Sequence, residues 1–196
     1  FRTGCFTLAM HLCLWQSNQK PIGLSAMKPF LHSTRLEFYR LTSQDAPLML
    51  ALLNEPSFIE NIGDRGVRTL AQAEQYMQDG PLASYQQHGF GMYRVVRTID
   101  GAAIGLCGLV SRDYLPSPDL GYAFFPEFAG QGYASEAAAA VYHFGKTVLK
   151  LPKIVGIVQA SNLASQRVLQ KVGLIKQGLV TVPTSGEELD FYVENI

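Results

Sequence analysis

A glycine-containing turn between a predicted strand and a predicted helix is the segment of this sequence best suited to hold a ligand. Residues 119–125 (DLGYAFF) have the pattern of a strand, residues 133–149 that of a long helix, and residues 129–134 (AGQGYA) join them. Unpaired N–H groups gather at a helix N-terminus, where the helix dipole adds positive potential. We therefore expect this turn to bind phosphate through its backbone, without Lys or Arg.

The two glycines of the turn, Gly130 and Gly132, favour such a role. A side chain at either position would hold a diphosphate away from the N–H groups or forbid the required φ angle. The turn has neither the GxxxxGK[ST] nor the GxGxxG pattern, so Walker-type ATP chemistry and a dinucleotide fold are not favoured. Taken alone, it is equally consistent with an ordinary tight connection between a strand and a helix.

A second polar cluster begins the predicted helix 162–171 (NLASQRVLQK), which ends before Gly173. Asn162 suits the N-cap position, and its amide could also hydrogen-bond to a ligand. Ser165 follows about one helical turn later, where its hydroxyl can donate to a ligand or bond back to the helix backbone. Both alternatives stay open for each residue.

The elements that must position these residues alternate between strands and helices. Predicted strands cover residues 36–41, 91–97, 103–110, 119–125, 153–158, 174–182 and 189–193. Predicted helices cover residues 43–54, 69–87 with a break near Gly80-Pro81, 133–149 and 162–171, and loops are expected at 61–68 and 111–118. This order predicts a mixed α/β (α+β) sheet domain.

Composition limits the possible partners. The chain has 196 residues, 47% of them hydrophobic, which is enough for one domain with a substantial core. Its 16 Lys and Arg balance 16 Asp and Glu, so there is no broad basic field for nucleic acid. Cys5, Cys13 and Cys107 have neither disulfide-framework nor metal-site spacing, which favours a reducing cytoplasm and no metal. No apolar run approaches the ~20 residues that cross a bilayer, so no membrane span is expected.

The first part of the chain is predicted to be an appendage, residues 1–32, ahead of one domain at 33–196. The apolar run at residues 5–15 has the length of a signal-peptide core, but no initiating Met precedes it and His11 interrupts it. Met27 would make a natural start just before the first predicted strand.

Residues 119–174 resemble the coenzyme A-binding core of the GNAT superfamily of N-acetyltransferases, and in particular its branch of ribosomal-protein N-terminal acetyltransferases. The branch pattern GYxxxPEFxGxGYAxEA is matched at Gly121, Tyr122, Pro126, Glu127, Phe128, Gly130, Gly132, Tyr133, Ala134, Glu136 and Ala137. A second pattern, NxxSxRVLxKxGF, is matched from Asn162 to Leu174, with Leu174 in place of Phe. The chain departs from the superfamily at Ala129, where the pyrophosphate loop usually begins with Gln or Arg.

The resemblance implies an acetyl-CoA-dependent enzyme that transfers acetyl to a primary amine, either a protein N-terminal α-amine or a small-molecule amine, by direct attack in a ternary complex. It implies one mixed twisted sheet of about six to seven strands with helices on both faces. It also implies a gap between the fourth and fifth predicted strands, 119–125 and 153–158, that admits the pantetheine arm. The coenzyme diphosphate would lie on Ala129, Gly130, Gln131, Gly132, Tyr133 and Ala134. The thioester carbonyl would meet a backbone N–H near Phe124 or Phe125, which would stabilise the developing oxyanion.

Two proton transfers accompany this reaction, and here the sequence departs from the superfamily again. The tyrosine that protonates the departing thiolate in much of the superfamily corresponds to Leu169. Ser165 is the candidate in its place. Asn162 is expected to contact the pantetheine amides, to cap its helix, or to do both.

The candidate general bases are Asp119, Glu127 and His143, since only a carboxylate or an imidazole takes a proton directly from an ammonium group near neutral pH. Asp119 shares one face of the strand with Gly121 and Ala123, a position from which it could reach the acceptor through water. Glu127 follows a proline at a turn and fits a solvent-facing side chain better, while His143 in an apolar helix fits a core histidine better. Glu136, in the first helical turn, is expected to interact with the helix dipole.

The acceptor is not defined by any motif. Its binding is expected to depend on residues 54–68, 84–89 and 183–188, which carry too few carboxylates to favour a polyamine. A homodimer is compatible with the resemblance. Two alternatives remain: a noncatalytic acyl-CoA-binding or regulatory protein with the same fold, suggested by Ala129 and Leu169, and a nucleotide-binding α/β protein.

Overall fold

The computed structural model describes residues 28–195, in which eight strands form two antiparallel sheets. The five-stranded sheet has the order β1 (Leu31–His32), β2 (Leu36–Arg40), β3 (Met92–Arg97), β4 (Ala103–Val110) and β5 (Asp119–Phe124). The three-stranded sheet has the order β6 (Gly156–Val158), β8 (Glu188–Glu194) and β7 (Leu174–Thr181). β5 and β6 therefore lie at the facing edges of the two sheets.

Six α-helices connect these strands: α1 (Ala46–Leu53), α2 (Pro56–Ile62), α3 (Leu70–Met77), α4 (Ala83–His88), α5 (Tyr133–Thr147) and α6 (Leu163–Lys171). Local chemistry explains several of their ends. Thr69 and Gln72 form a capping box at the start of α3. The predicted break near Gly80-Pro81 is a π-helical turn, Gln78–Leu82, because proline cannot donate the next helical hydrogen bond. α2 was not predicted, although proline at the first helical position is a recognised start signal.

Helices cover both faces of the five-stranded sheet, as predicted. On one face, α5 and α6 enclose a core that includes Phe38, Ile104 and Val141. On the other face, α1 and α3 enclose a second core that includes Leu52 and Met77. The two central strands β3 and β4 are consequently buried over most of their length. This confirms the mixed α/β architecture. The strands of residues 28–195 number eight and form two sheets, where six to seven strands in one sheet were expected.

The start of the folded unit lies earlier than residue 33. Leu31 and His32 pair with β2, and the ring of Phe30 lies 4.4 Å from that of Tyr93 and 5.3 Å from that of Phe144. The predicted boundary between residues 32 and 33 thus falls inside the sheet. The predictions made for residues 1–27 lie outside the described residues. No helix within 28–195 has the length and apolar character needed to span a bilayer.

Candidate active site

The predicted gap between two neighbouring strands is present between β5 and β6. The two strands share one parallel pairing, at Asp119 and Val155. There, the Leu120 N–H donates to the Val155 carbonyl at 2.9 Å, and the Val155 N–H donates to the Pro118 carbonyl at 3.0 Å. In the described part of the chain, no further backbone hydrogen bond joins β5 to β6, and β6 pairs with β8. The strands therefore enclose a wedge that opens toward the end of β5.

The alternation of backbone groups along β5 decides which amides face this wedge. The Phe125 N–H donates to the Ile104 carbonyl of β4 at 3.0 Å, whereas the Leu120 N–H faces β6. Because successive residues of a strand direct their N–H groups to opposite sides, the amides of Tyr122 and Phe124 face the wedge. Of the two amides expected from the sequence, Phe124 has the required orientation and Phe125 does not. Tyr122 was missed, although strand alternation would have indicated it.

Beyond the wide end of the wedge, the chain forms the loop that precedes α5. Gly130 and Gly132 have φ angles of +73° and +83°, which only glycine adopts without strain. α5 begins at Tyr133, and its first regular hydrogen bond runs from the Glu136 N–H to the Gly132 carbonyl at 3.0 Å. The N–H groups of Tyr133, Ala134 and Ser135 precede this bond and lack a partner four residues back. Positive partial charge therefore accumulates at the loop.

The wedge and the loop open into one cavity of about 1270 Å³. Most of the predicted site residues line it: Asp119, Phe124, Ala129, Gly130, Gly132, Tyr133, Ala134, Asn162 and Ser165. Two do not. Phe125 is 7% exposed and packs into the core beneath α1 and α3, and Gln131 points outward, where its Nε2 donates to the Glu127 carbonyl at 2.9 Å. The Phe125 N–H is bonded to β4 and is therefore not available to a thioester carbonyl. The Gln131 side chain is turned away from the cavity, while its backbone N–H stays a predicted contact of the diphosphate.

Asn162 and Ser165 sit at the start of α6, across the wedge from β5. The Asn162 Oδ1 accepts from the Ser165 N–H at 3.0 Å, so Asn162 caps the helix. Its Nδ2 has no hydrogen-bond partner among the described residues. Nor does the Ser165 Oγ bond back to the α6 backbone there. The Asn162 Nδ2 is therefore available to a ligand, and the Ser165 Oγ lines the cavity beside the Tyr122 hydroxyl, with which it interacts.

Beyond the pairing at Asp119, the Tyr122 side chain links the two sides of the wedge. The Tyr122 hydroxyl donates to the Ser165 carbonyl at 3.0 Å. Burial raises the pKa of this phenol, so it remains protonated and able to donate at neutral pH. Leu169, at the position of the superfamily tyrosine, is 1% exposed and packs over Gly156, so it has no part in the cavity wall.

Asp119 lies at the narrow end of the wedge. Its side chain is buried, and its Oδ1 accepts from the Arg112 Nε at 2.8 Å. Burial raises the pKa of the Asp119 carboxyl, and the Arg112 guanidinium opposes that rise. The carboxylate is thus shielded from bulk water but in contact with the cavity.

The other titratable candidates lie elsewhere. Glu127 is exposed and outside the cavity wall, in agreement with the solvent-facing alternative. His143 is also exposed, on the outer side of α5, so its assignment to the core is wrong: this position of the helix faces away from the sheet. Glu136 is half-buried and bonded to Ser33 and Arg35. Residues 28–195 contain no group of three or more His, Cys, Asp or Glu side chains suited to a metal ion.

The three segments expected to contact the acceptor contribute to the cavity wall. Residues of 54–68, 84–89 and 183–188 all line it. The first of these is not a simple loop, because α2 occupies residues 56–62.

Comparisons with known proteins agree with this geometry. Residues 35–175 match the family model described as an acetyltransferase (GNAT) domain. The uncharacterized N-acetyltransferase YoaA of Bacillus subtilis is 28% identical over 156 residues, which cover 79% of this chain and 87% of YoaA. This chain therefore belongs to the GNAT family of acetyltransferases.

Solved structures show the same fold. An acetyltransferase from Agrobacterium tumefaciens superposes with a TM-score of 0.72 at 25% identity, covering 87% of this chain and 96% of that one. RimL, a ribosomal L7/L12 α-N-protein acetyltransferase solved with coenzyme A, superposes with a TM-score of 0.73 at 17% identity, covering 86% and 98%. The likeness to RimL is compatible with the predicted branch.

Replacing Gly132 with valine is expected to weaken CoA binding, since a β-branched residue at φ +83° forces the loop out of its conformation. We expect the Kd for CoA, measured by isothermal titration calorimetry, to rise by about tenfold or more, the equivalent of ~1.4 kcal/mol. Gly101→Val is the matched control, because Gly101 has φ +72° in the turn between β3 and β4, with open space around its Cβ position. Equal affinities in the two variants would contradict the role of the loop.

Proposed function

We propose that this enzyme transfers an acetyl group from acetyl-CoA to a primary amine that attacks the thioester directly. The observation that carries the proposal is the single cavity that joins two strand amides, of Tyr122 and Phe124, to the unpaired N–H groups at the start of α5. Acetyl-CoA supplies an activated acyl group as its thioester. The protein has to position the thioester, bind the amine, accept a proton from the incoming ammonium and supply a proton to the departing thiolate.

The residues present fit acetyl-CoA part by part. Its diphosphate suits the N-terminus of α5, where backbone N–H groups and the helix dipole favour an anion. Its pantetheine arm is an extended chain with two amides, and such a chain can add to the open edge of β5 as an extra strand does. Because β5 runs from the narrow end of the wedge toward the loop, the thioester end would then point to the narrow end. We therefore add the Tyr122 N–H to the Phe124 N–H as a candidate donor to the oxyanion.

Three side chains are proposed to serve the chemistry. The Asn162 Nδ2 would bond to pantetheine, since the Oδ1 is engaged in capping α6. The Ser165 Oγ would donate to the departing sulfur directly or through water, since it lines the cavity beside the Tyr122 hydroxyl. Asp119 would accept a proton from the incoming ammonium through water. Positioning would supply most of the rate enhancement, up to ~7–11 kcal/mol in good intramolecular systems.

Charge in the cavity favours an acceptor with one amine. The carboxylates that line the cavity are Asp64, Asp79, Asp119 and Glu187, and the Lys and Arg side chains that line it are Arg65, Arg112, Arg167 and Lys171. Two of these carboxylates form ion pairs: Asp64 with Arg68 at 2.5 Å, and Asp119 with Arg112. A polyamine needs several uncompensated carboxylates. A protein N-terminal α-amine or a small monoamine fits better.

One observation favours a second candidate, a noncatalytic acyl-CoA-binding protein. Leu169 stands where much of the superfamily has its acid, and the structure buries it in the core. Such a protein would bind acetyl-CoA without acceptor-dependent turnover.

The proposed function is tested with purified protein, acetyl-CoA and three sets of acceptors: peptides with a free α-amine, small monoamines, and spermidine. We expect thiol release that depends on a peptide or monoamine, with the acetylated product identified by mass spectrometry. The same peptides with a blocked N-terminus are the control. Tight CoA binding without turnover across the panel would favour the noncatalytic alternative, and ATP binding without CoA binding would favour a nucleotide-binding protein.

Replacing Ser165 with alanine is expected to lower kcat by about a hundredfold if this hydroxyl assists the thiolate, as is common for a positioned proton donor. The KM for acetyl-CoA should change much less, because the interaction forms mainly in the transition state. Steady-state kinetics measure both. Ser161→Ala, at an exposed position just before α6 and outside the cavity wall, is the matched control. An unchanged kcat in the Ser165 variant would contradict a role in protonating the thiolate and indicate that this residue is structural.

The pH dependence of kcat/KM tests Asp119. Its pKa is raised by burial, so we expect activity to fall as pH drops through a value above the usual ~4 for aspartate, where the base becomes protonated. Asp119→Asn should lower kcat and remove this acidic limb. Thermal unfolding of the variant, recorded alongside, separates lost catalysis from a fold weakened by the unpaired Arg112. An acidic limb that persists in a folded Asp119→Asn enzyme would assign it to another group.

A further inference from the structure

Arg35, just ahead of β2, contacts the amide loop and the first turn of α5 from outside the cavity. Its Nε donates to the Glu136 Oε2 at 2.7 Å, and its own backbone N–H donates to the Glu136 Oε1 at 2.8 Å. The Ser33 hydroxyl donates to the same Oε1 at 2.7 Å. One carboxylate of α5 thus accepts three hydrogen bonds from a turn about 100 residues earlier in the sequence.

The same guanidinium also reaches the loop itself. Its Nη1 donates to the Gln131 carbonyl at 3.2 Å, and its Cζ lies 4.4 Å from the centre of the Tyr133 ring, a cation–π contact. A Cβ built on Gly132 would lie 3.5 Å from its Nη2. Arg35 therefore touches the last two loop residues and the first residue of α5.

Arg35 is itself held by the five-stranded sheet. Its carbonyl accepts from the Thr98 N–H at 3.0 Å and from the Thr98 hydroxyl at 3.1 Å, and the next residue, Leu36, is fully buried. The hydrogen bonds from Ser33 and Arg35 outweigh the effect of burial and lower the pKa of Glu136, so its carboxylate stays charged at neutral pH. The contact is therefore a fixed, charge-assisted link between the sheet and the loop.

The loop needs such a link because little else holds it. Residues 129–132 are exposed, and two of the four have a positive φ. Within the turn, the Ala129 N–H donates to the Pro126 carbonyl at 3.0 Å, and the Gln131 side chain donates to the Glu127 carbonyl at 2.9 Å. Apart from Arg35, the described residues tie the loop to the rest of the protein by one further hydrogen bond, from the Glu136 N–H to the Gly132 carbonyl. A loop that is ordered before the ligand arrives avoids the entropic cost of ordering it on binding.

We propose that Arg35 is a positioning residue for the diphosphate-binding loop, acting with Glu136 and Ser33. The group is called the loop clamp from here on. Arg35 is absent from the cavity wall, so it acts through the loop and not by contact with the ligand. This inference rests on the proposed function, because it requires that the loop bind the diphosphate of CoA. It also assigns a role to Glu136, the glutamate of the GYAxEA segment, which accepts the hydrogen bonds from Ser33 and Arg35.

A clamp that acts through the loop makes a prediction that a simple stabilising ion pair does not. Loss of the clamp should weaken only those acyl donors that carry a diphosphate. Acetyl-CoA has one, whereas S-acetylpantetheine has the same thioester and pantetheine arm without it. General damage to the fold would lower activity with both donors to the same degree.

The test compares Arg35→Met, which keeps most of the side-chain length, and Glu136→Gln with the wild-type enzyme. We expect the KM for acetyl-CoA and the Kd for CoA to rise by about tenfold, as for the loss of one charge-assisted hydrogen bond at a half-exposed site. The kcat at saturating acetyl-CoA and the kcat/KM for S-acetylpantetheine should stay within about twofold of wild type, since neither depends on the loop. Arg35→Lys should recover part of the affinity.

Lys146→Met is the matched control. Lys146 lies near the other end of α5 and pairs with Glu194 at 3.1 Å, so its loss breaks an ion pair of the same helix far from the loop. This variant should bind CoA as the wild type does, even if its melting temperature falls equally.

Two results would overturn the loop clamp: CoA affinity unchanged in a folded Arg35→Met enzyme, or parallel losses with acetyl-CoA and S-acetylpantetheine. If the wild-type enzyme itself fails to bind CoA, the proposed function fails instead.

Discussion

Backbone groups buried in a sheet must find partners, and β5 has a partner strand along only one edge. Among the described residues, β4 pairs with its whole length, whereas on the other edge Asp119 alone is paired, with Val155 just before β6, and β6 itself pairs with β8. The amides of Tyr122 and Phe124 are left facing a gap. An incomplete sheet of this kind accepts an extended, amide-containing ligand in the place of the missing strand. The other features of the site depend on this separation of β5 from β6.

Packing keeps the gap open and places side chains on both sides of it. α6 lies over β6, where Leu169 fills the space above Gly156; a Cβ on that glycine would come within 2.8 Å of the leucine. The close approach brings Asn162 and Ser165 to the edge of the wedge. The hydrogen bond from Tyr122 to the Ser165 carbonyl then fixes the width of the opening at that point. The five-stranded sheet holds the diphosphate-binding loop through the loop clamp. Contacts outside the cavity therefore position both the wedge and the loop.

Some polar groups near the cavity stabilise the fold and others can contact a ligand. Their hydrogen bonds within the protein show which role each group has. The Glu136 carboxylate accepts hydrogen bonds from Ser33 and Arg35, and the Asn162 Oδ1 accepts one from the backbone of α6. Among the described residues, the Asn162 Nδ2 has no partner, and the Ser165 Oγ interacts with the Tyr122 hydroxyl at the cavity wall. Asp119 is intermediate, since it faces the cavity but is paired with Arg112. A motif residue is therefore not by itself a ligand contact.

The sequence alone was sufficient for the features that depend on nearby residues: the strand pattern of β5, the glycines of the loop, the start of α5 and the cap of α6. Each follows from periodicity, φ preference or capping over a few positions. Only the tertiary structure excluded the amide of Phe125 and the side chain of Gln131, placed Asp119 beside Arg112, and joined Arg35 to Glu136. These outcomes depend on which edge of a strand is paired and on which distant segments meet. Local pattern carries no information about either, because the same residues could form the same elements with different neighbours.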